Sequence, residues 1–132
     1  RHQQQGVNVP MYRTSLACRP AGSLEGPMVV SMRPIAKTRV AEVRDLTAQY
    51  ARVHGAPVHV GDPAAIGIAD LNNPDWGDAV EIQLGEIPVF WGCGVTPQAV
   101  AQASKPRLMI THAPGHMFVT DVKDVELQKT EI

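Results

Sequence analysis

Apolar positions along the 132-residue chain fall into short runs separated by proline and glycine, with one longer stretch of helical period. Between Ile35 and Val53, the residues Val40, Val43, Leu46, Tyr50 and Val53 recur at steps of three and four, with Lys37, Arg39, Glu42, Arg44 and Asp45 between them. That spacing predicts an amphipathic helix, and its charges are read as a solvated face. The run from Pro27 to Met32, bounded by Gly26 and Pro34, predicts a buried strand. Pro34 then suits the first turn of the helix. Ala79 to Leu84 alternates like a strand, and Gly85-Glu86 would turn it into a hairpin with Ile87 to Trp91. Thr96 is a good N-cap and Pro97 a good first residue for a second helix over Gln98 to Ala103.

Elsewhere the pattern is weaker. Residues 1 to 26, broken by Pro10, Pro20, Gly22 and Gly26, read as a wrapping segment outside the core, with a short extended piece at Val9 to Thr14. Ala65 to Leu71 is short and apolar, and Asn72-Asn73-Pro74-Asp75 marks a turn. Arg107 to Thr111 and Met117 to Val122 complete the predicted strands, and the last ten residues read as an exposed tail. Strands interleaved with two helices predict an α/β or α+β fold, a mixed β-sheet with two main helices packed on it as a layered sandwich. The length fits one domain, 1–132, with a core of its own.

Composition narrows the class. Hydrophobic content of 44% with 19% charged residues is globular, and a formal net charge of -1 lacks the basic excess of a nucleic-acid binder. No apolar run approaches the roughly 20 residues that span a bilayer, and no signal-peptide pattern opens the chain, so a cytoplasmic protein without membrane contact is expected. Cys18 and Cys93 are too few for a disulfide framework and read as reduced thiols. The start at Arg1, without methionine and with a polar His2-Gln3-Gln4-Gln5 lead, suggests that the natural N-terminus lies upstream.

Four of the five histidines lie in two short loops. His112 and His116 flank Pro114-Gly115, and with Asp121 they could form an acid/base pair with an orienting carboxylate, or contribute to a metal site. His54, His59 and Asp62 pose the same choice. The plain alternative for each imidazole is a hydrogen bond to loop backbone. No complete zinc signature is present, so no metal is expected. Gly92-Cys93-Gly94, just ahead of Thr96, places a thiol at a helix N-terminus, where backbone N–H groups favour a thiolate or a bound carboxylate. A small buried thiol in a tight turn is the bland reading. Arg13, Arg19 and Arg33 could each grip a carboxylate or form a structural ion pair. Trp76 and Trp91 read as packing residues. There is no Walker loop, Gly-x-Gly-x-x-Gly, Gly-x-Ser-x-Gly or Cys-x-x-Cys, so nucleotide and dithiol redox chemistry have no support.

Asn8 to Thr14, Gly26 to Pro34, His54 to Asp62, Val89 to Gln98 and Thr111 to Asp121 together resemble the hydro-lyase family that includes D-glutamate cyclase, in the same order over nearly the whole chain. Members have a further N-terminal part of comparable size, so this chain resembles their C-terminal half. The resemblance implies a cofactor-free lyase that eliminates water, with D-glutamate cyclised to 5-oxo-D-proline as the best-defined reaction. On that basis Arg13 or Arg33 would hold the α-carboxylate, and His112 or His116, oriented by Asp121, would move protons. Gly92, Gly94 and Thr96 would frame an oxyanion site with Cys93 as donor, while His54, His59 and Asp62 would touch substrate. The partner is then a small carboxylate or amino acid, with a homo-oligomer left open. A non-catalytic binding module for such a molecule, regulating another protein, is the alternative, and a metal-dependent hydrolase the third choice.

Overall fold

A computed structural model describes residues 1–117 and 119–128. Its frame is β2 (Pro27–Ala36), the longest strand, flanked by β1 (Met11–Ala17) and β4 (Glu86–Gly92), with the two-residue β3 (His59–Val60) on the outer edge of β4. All pairings in this four-stranded sheet are antiparallel. Two main helices, α2 (Val40–Ala48) and α3 (Thr96–Ser104), accompany it, with short α1 (His2–Gln5) and α4 (Asp124–Leu127) near the ends. The expected sheet with two main helices is therefore present, as an α+β domain.

The period-two alternation of strands gives the sheet two different faces. Tyr12, Val30, Met32 and Phe90 lie on one face, closed by Ile66, Ile68 and Val80 from the long connection before β4. Tyr12 donates its hydroxyl to the Leu71 carbonyl at 2.8 Å, and burial together with the Asp70 charge pushes the phenol up to about 12. Met11 and Val29 lie on the other face under Val95 and Ala99. Ser31, Arg33 and Trp91 share that second face by alternation, beside α3 and beneath α2.

Several expectations change. The extended piece expected near Val9 to Thr14 is β1, and it belongs to the core: Met11, Tyr12 and Thr14 are buried, while Arg13 and Ser15 alternate with them on the exposed side. Pro34 does not begin a helix but continues β2, opposite Pro88. Gly61 N–H donates to the Pro88 carbonyl from the β3 side, so Pro88 turns its backbone polar groups away from β2. Met32 N–H points toward β1, donating to Pro10. Pro34, two residues on, faces the same way past the end of β1, so neither proline leaves a missing donor in the ladder.

Pairing of Ile35 with Ile87 and Ala36 with Glu86 also captures the predicted start of the helix. It begins instead at Val40, after a 3-10 turn over Lys37–Arg39, and ends at Ala48; Tyr50 and Val53 belong to the turns that follow. No strand forms over 79–84, because both edges of β4 are occupied by β2 and β3; Val80 and Ile82 still pack on the core. The N-cap of α3 is Val95. Thr96 Oγ1 instead accepts from Val29 N–H at 3.0 Å and donates to the Val29 carbonyl at 3.2 Å, pinning the helix start to β2. No strand forms at 107–111, where Leu108 and Ile110 are 80% and 88% exposed, nor among the described residues of 117–122. Phe118 of that predicted strand, and residues 129–132 of the predicted tail, lie outside the described residues. The tail's described part carries α4. No helix among the described residues is long and apolar enough to cross a membrane.

Candidate active site

Strand β4 ends at Gly92 and turns through Cys93 into α3. Cys93 N–H donates to the Val29 carbonyl at 2.9 Å and Thr96 N–H to the Cys93 carbonyl at 3.0 Å, so the turn is tied both to β2 and to the helix. The Cys93 thiol is half-buried and free, as is Cys18. Burial pushes the Cys93 thiol up from its ordinary value, while the Val95 N–H, the Arg33 charge and the Gly94 N–H pull it down less strongly. The group is therefore a protonated thiol at neutral pH, close to two backbone donors.

One histidine from each loop reaches this turn. His54 Nδ1–H donates to the Gly92 carbonyl at 2.7 Å, which leaves Nε2 as its open nitrogen. His112 Nε2 lies 3.2 Å from the Gly94 carbonyl and its Nδ1 lies 2.8 Å from the Ala113 carbonyl. A Cβ on Gly94 would stand 3.2 Å from His112 Nε2, so glycine permits this approach. Gln98 of α3 also donates its side-chain amide to the His112 carbonyl. Asn8 steadies the second loop through Pro114, and a Cβ on Gly115, at φ +78°, would collide with the Asn8 amide.

The other candidates lie elsewhere. His59 packs its ring 5.7 Å from that of Phe90 and donates Nε2–H to the Asp62 carbonyl, while the Asp62 carboxylate accepts from Ala64 N–H at 3.0 Å. Both side chains thus hold the β3 loop together. His116 and Asp121 are exposed; the His116 ring bonds the Pro114 carbonyl, and among the described residues no hydrogen bond joins Asp121 to either histidine of its loop. No group of three potential ligands gathers for a metal among the described residues.

The arginines divide sharply. Arg13 meets Asp75 at 3.6 Å, Gln102, and the Trp76 ring at 4.9 Å. Arg19 is exposed on the loop after β1. Arg33 is half-buried, donates to Ser31 Oγ at 2.9 Å and lies 5.6 Å from the centre of the Trp91 ring, with no carboxylate partner among the described residues. Burial lowers its pKa, partly offset by nearby Cys93. Sequence reasoning missed His2, which burial and the Arg33 charge hold below the ordinary imidazole range. A lone histidine in a polar lead gives no such signal.

Two cavities meet here. The smaller, about 320 Å³, is lined by Met28, His54, Cys93 and Thr96. The larger, about 430 Å³, has Arg33 and Trp91 on its sheet side and Val43, Thr47 and Tyr50 beneath α2. His54 and Val53 line both. Of the residues beneath α2, Tyr50 was legible in the sequence only as a position on a helix face, and Thr47 gave no signal.

Comparison with known proteins identifies the family. The family model described as D-glutamate cyclase matches residues 1–121. The chain belongs to the D-glutamate cyclase family. A provisionally named hydro-lyase of Stutzerimonas stutzeri (strain A1501) is 61% identical over 127 residues, covering 96% of this chain and 48% of that protein. One from Pseudomonas syringae pv. syringae (strain B728a) is 65% identical over 124 residues, with coverages of 94% and 47%. Another, from Corynebacterium glutamicum (strain R), is 61% identical over 128 residues, with coverages of 97% and 48%. The chain spans about half the length of the curated relatives it matches. In this D-glutamate cyclase family chain the Cys93 turn, His54, His112 and Arg33 all fall inside the matched region, whereas α4 lies beyond it.

Proposed function

We propose that the Cys93 turn and Arg33 form the reacting centre of a hydro-lyase that cyclises D-glutamate to 5-oxo-D-proline. The observation that carries this reading is a half-buried guanidinium, with no carboxylate partner among the described residues, beside a protonated thiol and the backbone donors of a helix start. An arginine fork suits the α-carboxylate. The neutral amine attacks the side-chain carboxyl carbon; a C–N bond forms and a C–O bond breaks, and the hydroxyl leaves with one proton as water. The Gly94 and Val95 N–H groups hold the developing oxyanion, and the Cys93 thiol donates to the departing hydroxyl. His54 Nε2, left open by the bond to Gly92, takes the proton from the amine. His112, which reaches the Gly94 carbonyl, is the second proton carrier in this scheme.

The test is proton NMR of this chain and of the full-length Stutzerimonas relative, each incubated with D-glutamate and then L-glutamate. Expected is 5-oxoproline from the D isomer, reduced in His54→Ala and Arg33→Gln; no product from either protein sinks the cyclase reading. The larger cavity supports a second reading, a small-acid binding module, because it contains Arg33 and none of the described residues of 112–121 lines it. A saturable rise in Tm without turnover selects it.

A further inference from the structure

The larger cavity has walls that suit only part of a dicarboxylate. Ile35, Val43, Val53 and Leu127 supply apolar surface, and the Trp91 and Tyr50 rings add to it. Its volume of about 430 Å³ falls within the roughly 300–1,000 Å³ typical of small-molecule sites. Of its lining residues, Arg33 and Asp124 carry opposite charges, and His54 has one ring nitrogen committed to Gly92. Asp124 is exposed at the start of α4, whereas Arg33 is half-buried on the sheet beside the Trp91 ring. A guanidinium has five N–H donors, and Ser31 accepts from one of its terminal nitrogens. A desolvated cation facing apolar walls calls for one anionic group. A second carboxylate in the same chamber would meet hydrocarbon or Asp124.

We propose that this cavity binds a monocarboxylic acid with an aromatic or branched apolar body. The carboxylate sits on Arg33, and the body lies between Trp91 and Val43. The Cys93 cavity remains the place where a carboxyl group reacts. The inference rests on the proposed function only through Arg33, and it extends the accepted acids beyond glutamate to those with a single charge and an apolar substituent.

The Trp91 indole N–H, which donates to Thr47 Oγ1 at 3.3 Å, reports occupancy from the cavity wall. Its proton–nitrogen NMR signal, assigned through Trp91→Phe, is followed as 3-phenylpropionate, 3-phenylpropanol and the para-carboxylated diacid of 3-phenylpropionate are added to the 132-residue chain. Expected is saturable movement of that signal with 3-phenylpropionate, and roughly tenfold weaker binding of both the uncharged alcohol and the diacid. Arg33→Gln brings the acid down to the level of the alcohol. Val43→Phe, which fills the chamber from α2 and leaves the cation alone, weakens both. Binding of the para-carboxylated diacid as tight as that of 3-phenylpropionate, or an unmoved Trp91 signal, overturns the proposal. Turnover of D-glutamate without phenylpropionate binding removes this inference and leaves the cyclase reading standing. Phenylpropionate binding that obeys the Arg33 and Val43 variants, without turnover in either protein, supports the cavity assignment and removes the cyclase reading.

Discussion

Two ends of one sheet face carry the same pair of residues to different effect. At the β1 end Arg13 lies over Trp76, with Asp75 and Gln102 closing around the guanidinium. At the β2–β4 end Arg33 lies over Trp91, with Ser31 as its hydrogen-bond partner and a cavity in front of it. The first arginine is neutralised and more exposed, so it fastens β1 to its neighbours. The second is half-buried with no counter-ion among the described residues, a costly state that a bound anion relieves. An arginine over a tryptophan is therefore no sign of function by itself; what separates the two is which charges the fold places around each.

The largest expected contrast is in turnover. Arg33→Gln lowers kcat/KM roughly 10–100-fold, the scale of one charge-assisted carboxylate contact, and Arg13→Gln changes it less than about threefold. Equal losses in steady-state assays of the two variants would erase the distinction. Stability should move the other way. Arg13→Ala loses an exposed ion pair and a ring contact, about 0.5–1.5 kcal/mol by urea titration. Arg33→Gln is neutral or stabilising by about 1 kcal/mol, because it removes an unpaired, half-buried charge.

A smaller effect concerns Cys93. Its raised value means that the folded state favours the protonated thiol; that contribution is complete below the ordinary 9.0 and is lost as pH rises through the folded value. Arg33 pulls the thiol down, so Arg33→Gln moves it further up and slows iodoacetamide alkylation near pH 9, by less than about tenfold. Arg13→Gln leaves the rate unchanged. The smallest effect is on His2. Its lowered value favours the neutral ring in the folded state, a contribution present above the ordinary 6.5 and lost as pH falls through the folded value. In an NMR titration Arg33→Gln returns His2 toward 6.5, and Arg13→Gln does not.

Much of this was visible before any coordinates. The apolar run at Pro27 to Met32 became the central strand and the Thr96-Pro97 signal became α3, since both are local patterns. Pro34 misled because a proline reads as a helix start unless the partner strand is known, and only the facing Pro88 shows that no ladder donor is missing. The extended piece at Val9 to Thr14 was legible, but the breaks at Pro10, Pro20, Gly22 and Gly26 around it read as a wrapping segment, and only the pairing with β2 makes it core. At the site, the glycine-flanked Cys93 stood out from its motif. The commitment of His59 and Asp62 to their own loop did not, because it depends on the Phe90 ring and on the turn at Ala64.

The sequence by itself determined the motif order that marks the family, a fold that mixes strands with two main helices, and the residue types available for acid chemistry, because these depend on composition, periodicity and motif order along one dimension. Tertiary structure decided which histidine of each loop reaches the Cys93 turn, which arginine meets a carboxylate and which faces a cavity, and where the two cavities meet. Those outcomes depend on contacts between residues tens of positions apart, such as His54 with Gly92 and Arg13 with Asp75, whose pairing no local pattern encodes.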